Sequence, residues 1–358
     1  MNILLITTNF GFGPVSKLLT IIENLKDTSH EMTFIGTGAS LDFLRKSLQK
    51  EINFIDYDVE TISKSEFTKL INNYGLMINV MNTHIQEFFS EKKLINNVFI
   101  DSLNWMWNSP LLGIENSDIY FIQDVFLDYS KNSFMKNIEI IPPIIYIPKT
   151  NDNQEDEGTP KRILVNTAGI FTPNKIESYG IEYLKYFIDI FTEVKLDTDY
   201  QIIIACNKEQ FDNINDHMEI GSCVMKQFSH SEFIEEAKKA YRILSTPGLT
   251  FYLESKYLGL DIFYLLPSNY SQALLLEKYI KEGKEGLNLS KFGKIYQIES
   301  GLEEELGVST VRKSVERIQK EFREIIINEL ESFIKSDDTL QKNGGEVIVN
   351  KLKERKLI

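Results

Sequence analysis

The chain has 358 residues, 42% of them hydrophobic and 25% charged, and its formal net charge is −13. That length exceeds a single hydrophobic core and predicts two domains, while the acidic balance argues against a nucleic-acid partner, which would need clustered Lys and Arg. No run reaches the roughly 18 apolar residues of a membrane span, and the opening MNILLITTNF is too short and lacks the basic flank of a secretory signal, so a cytoplasmic protein is expected.

Cys206 and Cys223 stand in or beside apolar runs without CxxC spacing, which reads as two buried free thiols in a reducing compartment. Asn2 to Thr8 is nearly all apolar and fits a parallel strand buried on both faces. The turn Asn9-Phe10-Gly11-Phe12-Gly13-Pro14 and an amphipathic helix, Val15 to Lys26, follow it and open a βαβ unit. This GFG is not a dinucleotide fingerprint. Ser16 stands where the third glycine belongs, and Gly36-Thr37-Gly38 replaces the acidic residue expected after the second strand. Apolar runs at Met32 to Gly36, Ile52 to Ile55 and Leu76 to Met81 alternate with helix-like segments, and Val98 to Ile100 adds a strand ending at Asp101. The alternation predicts a mostly parallel sheet with helices on both faces.

Both tryptophans lie in Asp101-Ser102-Leu103-Asn104-Trp105-Met106-Trp107, directly after a strand end, where open α/β sheets place ligand contacts. Two readings stand. Either the aromatics pack under a loop, or Asp101 takes a proton from an acceptor while Trp105 or Trp107 gives a ring to stack on. Ile138 to Pro148 reads as the last strand of the first domain, and KTNDNQEDEGTP (149–160) as a polar linker. The expected organisation is a first domain at 1–148, the linker at 149–160, a second domain at 161–338 and a C-terminal helix at 339–358 that the sequence permits to return to the first domain.

The second series starts with a strand at Arg162 to Asn166, with Thr167-Ala168-Gly169 as its turn. A helix at Ile176 to Phe191, strands at Gln201 to Ala205 and Ser222 to Met225, and a helix at Glu232 to Ala240 continue it. His230 reads as a surface residue at a helix start rather than a catalyst. The stretch from Ala240 to Gln272, AYRILSTPGLTFYLESKYLGLDIFYLLPSNYSQ, is the most informative. A strand around Ile243 and Leu244 ends in Ser245-Thr246-Pro247-Gly248, and a helix begins at Leu249, with Thr246 able to cap it. Such a helix start leaves free N–H groups and a positive dipole end that suit a phosphate. A second run, Ile262 to Leu266, closes at Pro267-Ser268-Asn269, with Gln272 on the first turn of the next helix. Gly248, Leu249 and Thr250 as a phosphate cradle, Glu254 one turn on, and the amides of Asn269 and Gln272 make the inventory a nucleotide sugar needs. Val311 to Ile334 and Glu346 to Arg355 are helical in pattern, with Gly344-Gly345 between them. No His, Cys, Asp or Glu grouping has metal-ligand spacing, and GxSxG and P-loop patterns are absent, so chemistry without a metal or cofactor is expected.

The order Ser/Thr-x-Gly, Glu, a strand ending in Pro, then Asn and Gln is similar to the donor-binding half of GT-B glycosyltransferases, including the MurG-like and UDP-glucuronosyltransferase-like branches. The resemblance implies two Rossmann-like, doubly wound parallel-sheet domains facing across a cleft, with a nucleotide-sugar donor on the second and a small-molecule acceptor on the first. It assigns the diphosphate to the turn at Pro247, Gly248, Leu249 and Thr250, with Asn166, Ala168 and Gly169 approaching it. Glu254 takes the ribose, Asn269 and Gln272 the hexose, and Phe228 the place of the nucleobase. The first loop, Phe10, Gly11, Phe12 and Gly13, faces the acceptor, and Phe12 stands where the family often carries a His as base. The GFGPxSK opening and DSLNWMW look like cytosylglucuronate synthases, which would make the acceptor a heterocyclic base. The implied activity is metal-independent, inverting transfer of a hexose-type sugar from a nucleoside diphosphate, UDP favoured. A nucleotide-sugar 2-epimerase and a non-catalytic sugar-nucleotide binder are the alternatives.

Overall fold

The computed structural model describes residues 1–48, 51–107, 109–127, 136–147, 161–170, 179–193, 200–214, 223–281, 302, 304–329, 344–355 and 357. The linker expected at 149–160 lies outside them, as do 176–178 and 330–334 of two expected helices and residue 222 of one expected strand. The chain divides into two compact units, Met1–Tyr146 with Gln341–Ile358, and Ile147–Leu340.

The first unit is built on β1 (Asn2–Thr7), β2 (Glu31–Gly36), β3 (Asn53–Asp56), β4 (Leu76–Val80), β5 (Asn96–Asp101), β6 (Ile119–Gln123) and β7 (Ile138–Ile141). All pairings are parallel, in the order β3-β2-β1-β4-β5-β6-β7. β1 pairs Ile3 with Met32 on one side and with Leu76 on the other. Strands covered on both faces need apolar side chains throughout, and β4 and β6 are buried at every position. Helices α1 (Gly13–Leu25), α2 (Gly38–Leu48), α3 (Lys64–Leu70) and α4 (Thr83–Glu87) alternate with the early strands. One face of the sheet packs on Val15, Leu18 and Ile22 of α1 together with Ile348, Val349 and Leu352 of the C-terminal helix Gly344–Glu354. That helix is also tied to β7 by an ion pair between Arg355 and Glu139. The other face packs on Phe67, Ile85 and Phe89. Strand β6, IYFIQ, is an addition to the sequence reading.

The second unit carries β8 (Lys161–Asn166), β9 (Tyr200–Ala205), β10 (Cys223–Lys226), β11 (Arg242–Ser245) and β12 (Phe263–Tyr264), again all parallel, in the order β10-β9-β8-β11-β12. Its helices are α5 (Tyr179–Glu193), α6 (Lys208–Ile214), α7 (His230–Lys239), α8 (Leu249–Leu258), α9 (Tyr270–Lys281) and the long helix Glu304–Glu329. Phe187 of α5 meets Phe322 of the long helix edge to face, and the Tyr186 hydroxyl donates to the Gln319 carbonyl at 2.6 Å. Each sheet reverses its winding once, at β1/β4 in the first unit and at β8/β11 in the second. Neighbouring crossovers leave the sheet in opposite directions at such a point, and the crevice beyond the strand ends is where open α/β sheets hold ligands.

Candidate functional site

At the switch point of the second sheet, Ser245 pairs with Asn166 at the ends of β11 and β8. The Thr246 N–H donates to the Asn166 carbonyl at 3.3 Å, and Asn166 Nδ2 donates to Ser245 Oγ at 3.1 Å, so the two loops leave the sheet side by side. The loop after β8 is braced from below. Asn207 Nδ2 reaches the carbonyls of Ala168 and Ile170 at 3.4 and 3.3 Å, and Gln210 Nε2 reaches that of Thr167 at 3.3 Å. Gly169 sits on this braced loop, and a Cβ there would meet nothing within 4 Å among the described residues.

The turn after β11 gives α8 an uncapped start. Gly248 is its N-cap, with φ −102° and ψ 131°, and no side chain caps the helix; Thr246, expected to do so, lies two residues too early. The Gly248 N–H is spent on the Thr246 carbonyl at 2.7 Å, so the cradle donors come from the first turn of α8 rather than from Gly248 itself. The N–H groups of a helix's first turn point out beyond its start, and at α8 those are the backbone groups of Leu249, Thr250 and Phe251. The first turn contains no acidic side chain to offset the dipole. Gly248 adopts a conformation open to any residue, and a Cβ would meet only the Thr246 carbonyl at 3.9 Å. Among the described residues the fold therefore does not require glycine at 169 or 248, and the bare backbone there leaves room for a ligand to approach closely.

Glu254 lies on α8, one turn beyond this start, and only 1% of it is exposed. Its Oε1 stands 2.9 Å from His230 Nε2, while its Oε2 is buried with no hydrogen-bond partner among the described residues. This corrects the reading of His230 as a surface residue. His230 does begin a helix, behind the N-cap Ser229, but it is buried against Glu254 from an element 24 residues away in sequence. A buried carboxylate oxygen without a donor is costly, and a ligand hydroxyl would satisfy it.

The two amides after β12 are buried and already half used. Asn269 Oδ1 accepts the Gln272 N–H at 2.9 Å, capping α9, and Gln272 Oε1 accepts the N–H and hydroxyl of Ser268 at 2.8 and 3.0 Å. This reciprocal arrangement fixes both side chains and leaves their NH2 groups without partners among the described residues. Phe228, half-buried after β10, has the Lys226 ammonium 4.7 Å from its ring centre. Its ring lies 6.4 Å from that of Phe233, which in turn packs edge to face on Phe251 at the start of α8 at 4.9 Å.

In the first unit, Gly11 takes a left-handed φ of 63°, Phe12 packs on Phe43 with ring centres 5.4 Å apart, and Phe10 and Gly13 are half-buried on the same loop. Asn9 Oδ1 anchors that loop to the N–H and hydroxyl of Ser40 at 3.2 and 2.9 Å. Asp101 ends β5 as expected, but its surroundings correct the role expected of it. It is 0% exposed. Oδ1 accepts the Leu103 N–H at 2.7 Å, and Oδ2 accepts the Tyr120 hydroxyl at 2.6 Å and Trp107 Nε1 at 3.0 Å. Burial pushes its carboxyl up to about 6 against the opposing pull of those hydrogen bonds. Sealed in this way, Asp101 fastens the 101–107 segment and is not placed to take a proton from an acceptor. Trp105 is buried edge-on to Phe126, which leaves Trp107 as the half-exposed ring.

The sequence reading passed over Glu60. It lies in the loop after β3, yet its Oε1 accepts from Thr8 Oγ1 at 3.4 Å and Asn82 Nδ2 at 2.9 Å, at the ends of β1 and β4. No local pattern announces it, because its partners lie 52 and 22 residues away.

No family model matches the chain, and no curated protein matches it in sequence. Among solved structures it is similar to MurG of Acinetobacter baumannii, at 9% identity and a TM-score of 0.50 over 99% of both chains. It is similar to Arabidopsis thaliana UGT89C1 complexed with UDP-L-rhamnose, at 9% identity and a TM-score of 0.54 over 100% of this chain and 99% of that one. It is equally similar to UDP-GlcNAc 2-epimerase from Neisseria meningitidis bound to UDP-GlcNAc, at 14% identity and a TM-score of 0.54 over 99% and 100%. Likeness over whole chains at such identities is likeness of fold: the two parallel α/β units of this protein have the GT-B glycosyltransferase-like fold.

Proposed function

We propose that the protein is an inverting glycosyltransferase that moves a hexose-type sugar from a nucleoside diphosphate sugar, UDP favoured, to a small acceptor. The observation that carries the reading is the orphaned Oε2 of Glu254, buried one turn beyond an uncapped helix start. A diphosphate would take the N–H groups of the first turn of α8, between two glycines whose backbones stand clear, and a ribose hydroxyl would donate to Glu254. As the bond to the sugar breaks, negative charge gathers on the leaving diphosphate, and the positive dipole end of α8, which carries no acidic side chain in its first turn, stabilises it there. The NH2 groups of Asn269 and Gln272 would read the sugar hydroxyls, and Phe228 would flank the base. Phe10 to Gly13 and Trp107 are assigned to the acceptor, with Trp105 supporting from below. The UDP-sugars bound to UGT89C1 and to the epimerase from Neisseria meningitidis support the choice of donor.

Calorimetric titration with UDP-, GDP- and dTDP-sugars tests the donor assignment. A UDP-sugar is expected to bind, and failure of every member to bind removes the proposal. A second reading, a nucleotide-sugar 2-epimerase, draws on the equal fold likeness to the epimerase from Neisseria meningitidis. Conversion of UDP-GlcNAc to its 2-epimer without UDP release would favour it. Binding with neither conversion nor release leaves a sugar-nucleotide binding protein.

A further inference from the structure

Resting on the transferase reading, the location of the proton acceptor is open once Asp101 is sealed inside the first unit and Phe12 occupies the first loop. The switch point between β1 and β4 supplies one. Thr7 Oγ1 and the Thr8 N–H both donate to the Val80 carbonyl, at 3.0 and 3.3 Å, which holds the two strand ends together. Just beyond, Met81 adopts a left-handed φ of 65°, a conformation an unbranched L-residue holds only at a cost, and such strain clusters at working sites. Asn79 and Asn82, both fully buried, fix the turn: Asn79 Nδ2 donates to the Asn82 carbonyl at 2.9 Å, and the Asn82 N–H donates to Asn79 Oδ1 at 3.0 Å. Asn82 then turns its own Nδ2 to Glu60 Oε1, at 2.9 Å.

The carboxylate of Glu60 is thus carried from the sheet edge to the crevice between the central strands and held by one oxygen, while Oε2 makes no hydrogen bond among the described residues. We propose that Glu60 is the catalytic base, taking the proton of the acceptor's nucleophilic hydroxyl or N–H group on Oε2. The electron pair left on the acceptor forms the bond to the anomeric carbon, the bond from that carbon to the diphosphate oxygen breaks, and the electron pair leaves with UDP. The proton then passes from Glu60 to water. Glu60 is exposed on its outer side, and partial desolvation by the strand ends it leans on raises its carboxyl above the ordinary value, making it a stronger base; Asp58 of the same loop pushes the same way. His84 of α4 and the hydrogen bonds from Thr8 and Asn82 pull back.

The test compares the full-length protein with Glu60→Gln and Glu60→Asp. UDP affinity is measured by calorimetry, and UDP release from UDP-glucose, UDP-galactose, UDP-glucuronate and UDP-GlcNAc is measured with water as the acceptor. Glu60→Gln is expected to keep the wild-type UDP affinity and to lose about 100-fold or more in UDP release, with Glu60→Asp recovering part of the loss. If Glu60→Gln releases UDP within about threefold of wild type, the assignment of Glu60 is overturned and the transferase reading stands. If wild type binds UDP but releases none from any of the four donors, both fall in favour of a binding protein. If wild type does not bind UDP, the donor site itself is refuted.

Discussion

His230 Nε2 stands 2.9 Å from Glu254 Oε1, which leaves the other oxygen of the same buried carboxylate without a partner among the described residues. The pairing fixes the rotamer of Glu254 from a neighbouring helix and leaves its other oxygen, among the described residues, for the ribose hydroxyl of the proposed donor. A structural carboxylate would use both oxygens, as Asp101 does in the first unit.

Glu254→Gln removes a buried charge and keeps the shape. The variant is expected to be as stable as wild type or more stable by up to about 1 kcal/mol, and to bind UDP about tenfold more weakly, because a charge-assisted hydrogen bond to the ribose is lost. A melting curve and a calorimetric titration decide it. Unchanged UDP affinity would remove Glu254 from the site.

Gly169→Ala and Gly248→Ala separate fold from ligand. Neither glycine has a positive φ, and a Cβ at either position meets no atom closer than 3.9 Å. Stability is therefore expected to stay within about 1 kcal/mol of wild type. UDP affinity is expected to fall at least about tenfold, because the methyl group would stand where the diphosphate approaches the backbone. Two variants that bind UDP as wild type does would place the diphosphate elsewhere.

Asn269 caps α9 and, in the proposed function, also contacts the sugar, two roles that one substitution can divide. Asn269→Asp keeps the oxygen that caps α9 and removes the NH2 group. Stability should hold, since the two residues cap helices equally well, while the affinity advantage of UDP-glucose over UDP should shrink. Asn269→Ala should lose that advantage and about 1 kcal/mol of stability besides. An unaltered ratio of the two affinities in Asn269→Asp would free Asn269 of any sugar contact.

Asp101 makes a pH prediction. Its carboxyl is raised by burial to about 6 in the folded chain from an ordinary value of 3.8. Below the ordinary value both states are protonated and its contribution is fully present; as pH rises through about 6 the folded state must ionise a buried group and that contribution is lost. Relative to Asp101→Asn, wild type should lose about 2 kcal/mol of stability between about pH 4 and about pH 7. Both tryptophans lie in the segment Asp101 fastens, so their fluorescence reports the unfolding directly. Parallel stability profiles for the two proteins would contradict the assigned shift.

Much of the fold could be read from residue order. Strands buried on both faces must be apolar throughout, so β1, β2, β4 and β8 stand out as short continuous runs, and the spacing of helices between them predicts parallel pairing. The corner at Pro247 and Gly248 was legible for a similar reason: a strand, a turn and a helix lie within a dozen residues, so their succession needs no help from the rest of the chain. The N-cap position was not legible, because Thr246 and Gly248 both suit a helix start, and the choice fell to the Thr246 backbone, which pairs with Asn166 across the sheet.

The sequence alone determined the parallel α/β architecture and the strand-turn-helix corner at Pro247 and Gly248, since the short apolar runs and the helix-length spacing between them are written along the chain. Only the tertiary structure decided that His230 turns inward to Glu254, that Asp101 is sealed beneath Tyr120 and Trp107, and that Glu60 reaches from an edge strand to the centre of the first sheet. Those relationships depend on strand order, which the chain settles by packing distant segments together, and burial then determines which polar groups keep both their partners and which keep an oxygen free.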